Sequence, residues 1–157
     1  MFRALIFGVL SAAMVACAVE NAFAQKAQFG TPAEAKAMEE RVIAELKANG
    51  NAAFEKLNKP DGEFREGYLY VFCFNAKSGI FTAHANPALL GTDIRLIVEK
   101  DGSPLGQKIF DAANATNDSN IVTVSYNFPK PGTANPVPKE SYVTRVGDQA
   151  CGVGYYK

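Results

Sequence analysis

Apolar side chains recur at helical spacing between residues 31 and 50. Ala35, Met38, Val42 and Leu46 fall on one stripe, while Glu39, Glu40, Arg41, Glu45 and Lys47 fall mostly elsewhere. That is the pattern of a helix packed on one side. Its start is written in Thr31-Pro32-Ala33-Glu34: a hydroxyl to cap the first amides, a proline suited to the first helical position, and a glutamate to complete a capping box. Asn49-Gly50 ends it. A short second helix is predicted to carry Ala53, Phe54 and Leu57, and Lys59-Pro60-Asp61-Gly62 reads as a turn.

The texture changes at Tyr68. Tyr68-Leu69-Tyr70-Val71-Phe72-Cys73-Phe74 is almost wholly apolar, which predicts a strand covered on both faces. Residues 75–79 turn the chain, residues 80–84 run back as a second strand, and Asn86-Pro87 breaks it. Residues 85–106 read mostly as loop around a short apolar piece at 94–98. A short helix is expected over 104–113 and a polar loop over 114–120. Residues 121–128 alternate, with Val122, Val124, Tyr126 and Phe128 set against Thr123, Ser125 and Asn127. A proline-rich connection spans 129–138, and strands are expected at 141–146 and 150–156 around a Gly147-Asp148 turn. The last three strands form a meander. Helix, hairpin, long irregular crossover and meander together predict an α+β fold with an antiparallel sheet.

The first residues have another character. Arg3 precedes an apolar run over residues 4–18, and Ala22-Phe23-Ala24 follows. A charged start, an apolar centre and a small-x-small exit describe a secretory signal peptide over residues 1–24. The run is shorter than the ~20 residues of a spanning helix. Met14-Val15-Ala16-Cys17 is a loose lipobox, but the exit at Ala24 is better formed. The expected mature protein is one domain over residues 25–157, periplasmic and not membrane-spanning. Removing the signal takes away Arg3 and Glu20, so the 16 basic and 16 acidic residues each lose one and the charge stays balanced. A balanced charge gives no support for nucleic acid as a partner. Cleavage also removes Cys17. Cys73 and Cys151 remain, either bonded to each other in an oxidising compartment or buried as two thiols.

Catalytic and cofactor signatures are absent from the sequence. There is one histidine, His84, and no haem-attachment motif, metal-ligand cluster, phosphate loop or nucleophile elbow. Cys73 lies mid-strand, away from the exposure a reactive thiol needs. The expectation is a non-enzymatic protein without cofactor or metal.

A different pattern is present. An apolar strand, Tyr70-Val71-Phe72-Cys73-Phe74-Asn75, leads through Gly79 into Ile80-Phe81-Thr82-Ala83-His84-Ala85-Asn86-Pro87 and then Leu89-Leu90-Gly91-Thr92-Asp93. Further on come Asp101-Gly102, Gly106, Tyr126-Asn127-Phe128-Pro129, Pro138-Lys139-Glu140-Ser141-Tyr142-Val143 and Gly152-Val153-Gly154-Tyr155-Tyr156. In this order the segments resemble the single Cache domain family, PAS-like sensors outside the bacterial membrane. The resemblance implies a five-stranded antiparallel sheet with the N-terminal helix on one face. A small-ligand pocket is implied on the other face, under the crossover. It also implies a small polar metabolite as ligand, above all a short-chain carboxylate. Because the chain stops at Lys157, a free-standing member is expected, acting through a membrane histidine kinase or chemoreceptor.

Six residues are candidates for the ligand. His84 ends a strand at the crossover and offers a hydrogen bond to a ligand oxygen; otherwise it pins the Asn86-Pro87 turn. Lys139 on a half-buried strand needs an anion, which a bound carboxylate, Asp93 or Asp111 would supply. Tyr126 and Tyr142, expected on neighbouring strands, offer apolar area and a hydroxyl. Arg95 can hold a carboxylate bidentately or be solvated surface, and Asn86 is a ligand group or a turn residue. Phe72, Phe74 and Phe81 read as core, and Arg145 as solvated surface. Two other readings stay open: an interaction module docking on a histidine kinase or envelope protein without any ligand, and a small hydrolase or isomerase using His84.

Overall fold

The computed structural model describes residues 29–157. The expected signal segment, with Cys17 and the exit at Ala24, lies outside the described residues. Helix α1 (Pro32–Asn49) starts as its sequence predicts. Thr31 Oγ1 accepts the Glu34 amide at 3.2 Å, and the Glu34 carboxylate accepts the Thr31 amide at 2.7 Å. The helix stops where Gly50 takes φ 53°, and the Gly50 amide closes back onto the Leu46 carbonyl. A short helix α2 (Ala53–Leu57) follows.

The strands are β1 (Arg65–Glu66), β2 (Leu69–Asn75), β3 (Phe81–Ala83), β4 (Val122–Pro129), β5 (Pro136–Val146) and β6 (Gln149–Tyr156). Five of them form one antiparallel sheet in the order β3-β2-β6-β5-β4, and two-residue β1 pairs with the start of β2. β5 begins earlier than its prolines suggest. Pro136 and Pro138 sit where β5 has run past the end of β6, which stops at Tyr156 opposite Lys139. There a proline leaves no ladder bond on that side unmade.

Each face of the sheet has its own core, as strand alternation requires. Leu69, Val71 and Cys73 of β2 join Cys151, Val153 and Tyr155 of β6 under α1. Phe72, Phe74, Val124, Val143 and Ala150 point the other way, under helix α3 (Leu105–Ala115) and the crossover. Cys73 and Cys151 face each other across β2 and β6, fully buried, and their sulfurs are bonded.

The crossover is tied down at several points. Of its two short helical turns, at Pro87–Leu89 and Ile94–Leu96, the second packs on α3, with Ile94 buried. Ile97 is half-buried against the same core, whereas Leu96 is 75 % exposed and Val98 54 %. A Cβ on Gly106 would lie 1.7 Å from the Ile94 carbonyl oxygen, so only glycine lets the helix start come this close. The Gly106 amide donates to the Ile97 carbonyl at 2.8 Å.

One residue of α1 departs from the sequence expectation. Glu39 falls within the buried stripe, is fully enclosed, and neither carboxylate oxygen has a hydrogen-bond partner. Burial pushes its pKa well above the ordinary 4.5, so the carboxyl is held towards its neutral form.

Two outcomes are expected. Glu39→Met stabilises the protein by about 1–3 kcal/mol at neutral pH in urea unfolding, because a buried unsatisfied group is replaced by an apolar one. A raised folded-state pKa weakens stability as pH climbs above the unfolded-state value, so this gain narrows below about pH 4.5. The bridge between Cys73 and Cys151 joins residues 78 apart. Replacing both cysteines by Ala lowers unfolding free energy by about 2–4 kcal/mol, and reductant then has no further effect on the melting curve.

Candidate ligand-binding site

A cavity of about 280 Å³ lies on the face of the sheet opposite α1, between the strands and the crossover. Lys139, Tyr126, Tyr70, His84 and Asn86 supply its polar groups. Phe72, Phe81, Ile94, Leu105, Ile109 and Phe128 supply most of its apolar wall.

His84 owes its direction to an irregularity in β3. Phe74 pairs with Phe81, yet the preceding residue Cys73 pairs with Ala83, leaving Thr82 as the extra residue of a bulge. Phe81 therefore joins the cavity-side core while Ala83, two residues on, joins the core under α1. In an unbroken strand both would share one face. The bulge re-aims the next side chain, and His84 enters the cavity wall instead of facing α1.

The outer edge of β3 is finished by side chains. Asn58, just after α2, donates through Nδ2 to the Thr82 carbonyl at 2.9 Å and accepts the His84 amide on Oδ1 at 3.2 Å. Arg65 donates to the Ala85 carbonyl at 2.9 Å. His84 Nδ1 accepts the Asn86 amide at 2.8 Å, which leaves the proton on Nε2. Burial brings the imidazole pKa down to about 4, with the Lys139 and Arg65 charges adding to the effect. At neutral pH His84 is thus an uncharged donor. Its ring sits edge-on to Tyr70 and Phe81 at 5.4 and 5.3 Å.

Lys139 is the cavity's one ammonium. It is 3 % exposed and stands directly across the β4–β5 ladder from Tyr126. No carboxylate meets it. Asp93 is bonded to Arg95 at 2.6 Å, and Asp111 accepts a hydrogen bond from Gln107. Instead Nζ lies 4.6 Å from the Tyr156 ring centre, 5.3 Å from Tyr70 and 5.4 Å from Phe128. Burial lowers its pKa to about 8. Tyr126 shares a 2.8 Å hydrogen bond with Ser141, and burial raises its pKa, so it stays protonated.

Gly154 makes this packing possible. A Cβ there would lie 2.8 Å from Lys139 Cε and from Ser141 Oγ, and 3.0 Å from the Tyr126 hydroxyl. Gly152 does the same for Phe72, whose Cζ would lie 2.5 Å from an added Cβ. Two glycines of the final strand thus let large side chains lie across it on the cavity side.

Four of the six candidates from the sequence line the cavity: His84, Asn86, Tyr126 and Lys139. Asn86 is also a turn residue, its Oδ1 accepting the Ala88 amide at 3.1 Å. Tyr142 and Arg95 are elsewhere. Tyr142 is three residues from Lys139 on the same strand, an odd step that turns it to the opposite face, where its ring packs on Tyr155 at 5.4 Å. Arg95 ties the crossover to the β2–β3 turn: it pairs with Asp93 and donates to the Ser78 carbonyl at 2.8 Å. Phe72 and Phe81 are core residues as expected, but their rings also face the cavity, whereas Phe74 does not line it. Tyr70 was not singled out from the sequence. Its even step from Phe72 along β2 was the available signal.

The single Cache domain 2 family model matches residues 12–154 of this sequence. The chain belongs to the single Cache domain 2 family. Solved structures agree on the fold. A periplasmic sensor domain of a chemotaxis protein is 26 % identical with a TM-score of 0.56, covering 92 % of this chain and 99 % of that one. A methyl-accepting chemotaxis protein from Vibrio parahaemolyticus RIMD 2210633 is 24 % identical with a TM-score of 0.60, covering 92 % and 97 %. A Cache chemosensory domain described for its carboxylic acid recognition is 21 % identical with a TM-score of 0.57, covering 88 % and 96 %. No curated protein matches the chain. Family and neighbours together point to a non-enzymatic, extracytoplasmic sensing module. Among the described residues no helix is long and apolar enough to cross a membrane, and no group of three or more His, Cys, Asp or Glu converges as a metal site would.

The position of His84 in this Cache domain depends on Asn58. Asn58→Ala is expected to lower stability by about 1–3 kcal/mol, since it strips the partners from the Thr82 carbonyl and the His84 amide. Hydrogen exchange distinguishes this from general loosening: the His84 amide exchanges faster, while amides of the β5–β6 ladder change only with global stability.

Proposed function

We propose that residues 25–157 form a periplasmic sensor domain, released by cleavage after Ala24, that reversibly binds a small carboxylate in the cavity and acts through a membrane signalling partner. The observation that carries this reading is the unpaired ammonium of Lys139 in the cavity wall, with no acidic side chain among the lining residues. A buried cation without a counter-charge favours an anion. The neighbouring groups suit the same guest. His84 Nε2–H and the hydroxyls of Tyr70 and Tyr126 can donate hydrogen bonds to carboxylate oxygens, and Asn86 has an amide to add. The apolar wall suits a short hydrocarbon tail. One structural neighbour is a Cache domain that recognises carboxylic acids, which fits the chemistry proposed here.

Small monocarboxylates are expected to raise the melting temperature in a concentration-dependent way and to bind in calorimetry. Lys139→Met weakens binding by about a hundredfold, the order expected for deleting one partner of a buried charge pair. His84→Ala weakens it by about tenfold or more, the loss of one charge-assisted hydrogen bond. The pH profile carries the sign. Because the Lys139 pKa is lowered to about 8, affinity falls as pH rises above that value, by up to about tenfold per unit. Between pH 5 and 7 His84 stays neutral and contributes no change. A protein that binds no small acid and melts identically with and without each of them overturns the proposal.

A further inference from the structure

We propose that Lys139 also captures carbonyl compounds: its side-chain amine condenses reversibly with a small aliphatic aldehyde or 2-oxo acid to form an imine. This rests on the reading that the cavity admits a small molecule, but it asks for a bond where that reading asks only for a charge. The geometry supplies the conditions for one.

Nζ has neither a hydrogen bond nor an ion pair, so no carboxylate holds it as an ammonium; its neighbours are aromatic rings at 4.6–5.4 Å. Lys139 forms part of the wall of a 280 Å³ cavity, where a guest carbon can reach it. The rings attract the ammonium, but burial outweighs them and the pKa falls from 10.5 to about 8. About one molecule in ten then carries the free amine at pH 7, against about one in three thousand for an ordinary lysine. A desolvated lysine in an apolar pocket is the usual way a protein makes this nucleophile.

Proton donors stand nearby. The Tyr126 hydroxyl and Lys139 Cε both lie within 3.0 Å of one point above Gly154, and the neutral imidazole of His84 offers Nε2–H from the facing wall. The nitrogen lone pair adds to the carbonyl carbon while the carbonyl oxygen takes up a proton. The resulting hydroxyl then leaves as water. One C=N bond replaces one C=O bond, both amine hydrogens end in the water released, and nothing is oxidised or reduced. The apolar wall accommodates the aliphatic chain and limits the water that would reverse the step.

The test is reductive trapping on the purified protein at pH 7. Butanal and 2-oxobutanoate are the two probes, cyanoborohydride fixes any imine, and peptide mass mapping locates it. Butanoate, of the same chain length but without a reactive carbonyl, is the control. Lys139 is expected to be modified at least about tenfold faster than exposed lysines such as Lys36 and Lys47. An excess of butanoate is expected to protect it. Lys139→Arg has no primary amine and is expected to lose the adduct at this position, leaving only the slow background on surface lysines. Trapping by one probe alone assigns the site to that carbonyl class. Modification spread evenly over surface lysines, with butanoate still stabilising the protein, overturns the imine and leaves carboxylate binding standing. No selective trapping and no stabilisation by butanoate overturns both.

Discussion

The pairing of β2 with β6 decides what every other element can do. Both strands are buried on both faces, so each residue along them belongs either to the core under α1 or to the cavity side. The bond between Cys73 and Cys151 fixes that alternation at the centre of the sheet. A slip by one residue would send Phe72 towards the helix and Val71 into the cavity. It would also move Phe72 off Gly152, the residue opposite it whose missing side chain leaves room for the ring. The cavity is therefore a consequence of register as much as of its lining residues.

The two faces each bury one ionisable residue without a partner of opposite charge. Glu39 lies under α1 and Lys139 lies in the cavity wall, and burial drives both towards neutrality. Their situations differ in one respect. Both Glu39 oxygens are sealed from any partner, so its desolvation is a pure cost of about 1–3 kcal/mol. Lys139 opens on space, so a guest can return what burial removed. The same physics that makes Glu39 a weakness makes Lys139 the candidate site.

Most of the architecture is legible in the sequence. The capping box at Thr31, the doubly covered β2, the alternation of β4 and the glycine at residue 50 each act through local rules, and each element forms where those rules place it. Order and spacing of the strand and turn motifs also carried the family. Four of the cavity's five polar residues were legible, all but Tyr70: Lys139 and His84, for example, are polar residues at strand positions that need an explanation. What the sequence hid is long-range. The bulge at Thr82 depends on how β3 meets β2, and it alone decides that His84 faces the cavity. Tyr142 looked equivalent to Tyr126, but the two strands' register puts Tyr126 opposite Lys139 and Tyr142 opposite Thr123, on the other face. Arg95 is taken up by Asp93 because the crossover folds back beside the β2–β3 turn. Glu39 was expected off the apolar stripe with the other charged residues, although its position, four residues after Ala35, lies in the buried stripe.

The anchoring of the crossover bears on how occupancy becomes a signal. At one end Asn58 and Arg65 hold the chain from Thr82 to Ala85, side chain to backbone. At the other, Asp93, Arg95 and the glycine contact at residue 106 lock the turn at Ile94–Leu96 onto β3 and α3. Both anchors grip the backbone beside cavity residues, His84 on one side and Ile94 on the other. A guest that draws His84 and Lys139 together therefore pulls on Asn58, and through it on the segment joining α2 to the sheet. On the far wall the lysine leans on Tyr156, whose ring touches Phe29 at 5.9 Å, just ahead of α1. The cavity thus connects, through one side chain each, to the segment just before α1 and the segment just after α2. On the proposed carboxylate reading, charge arriving at Lys139 has side-chain routes to both ends of the helix layer.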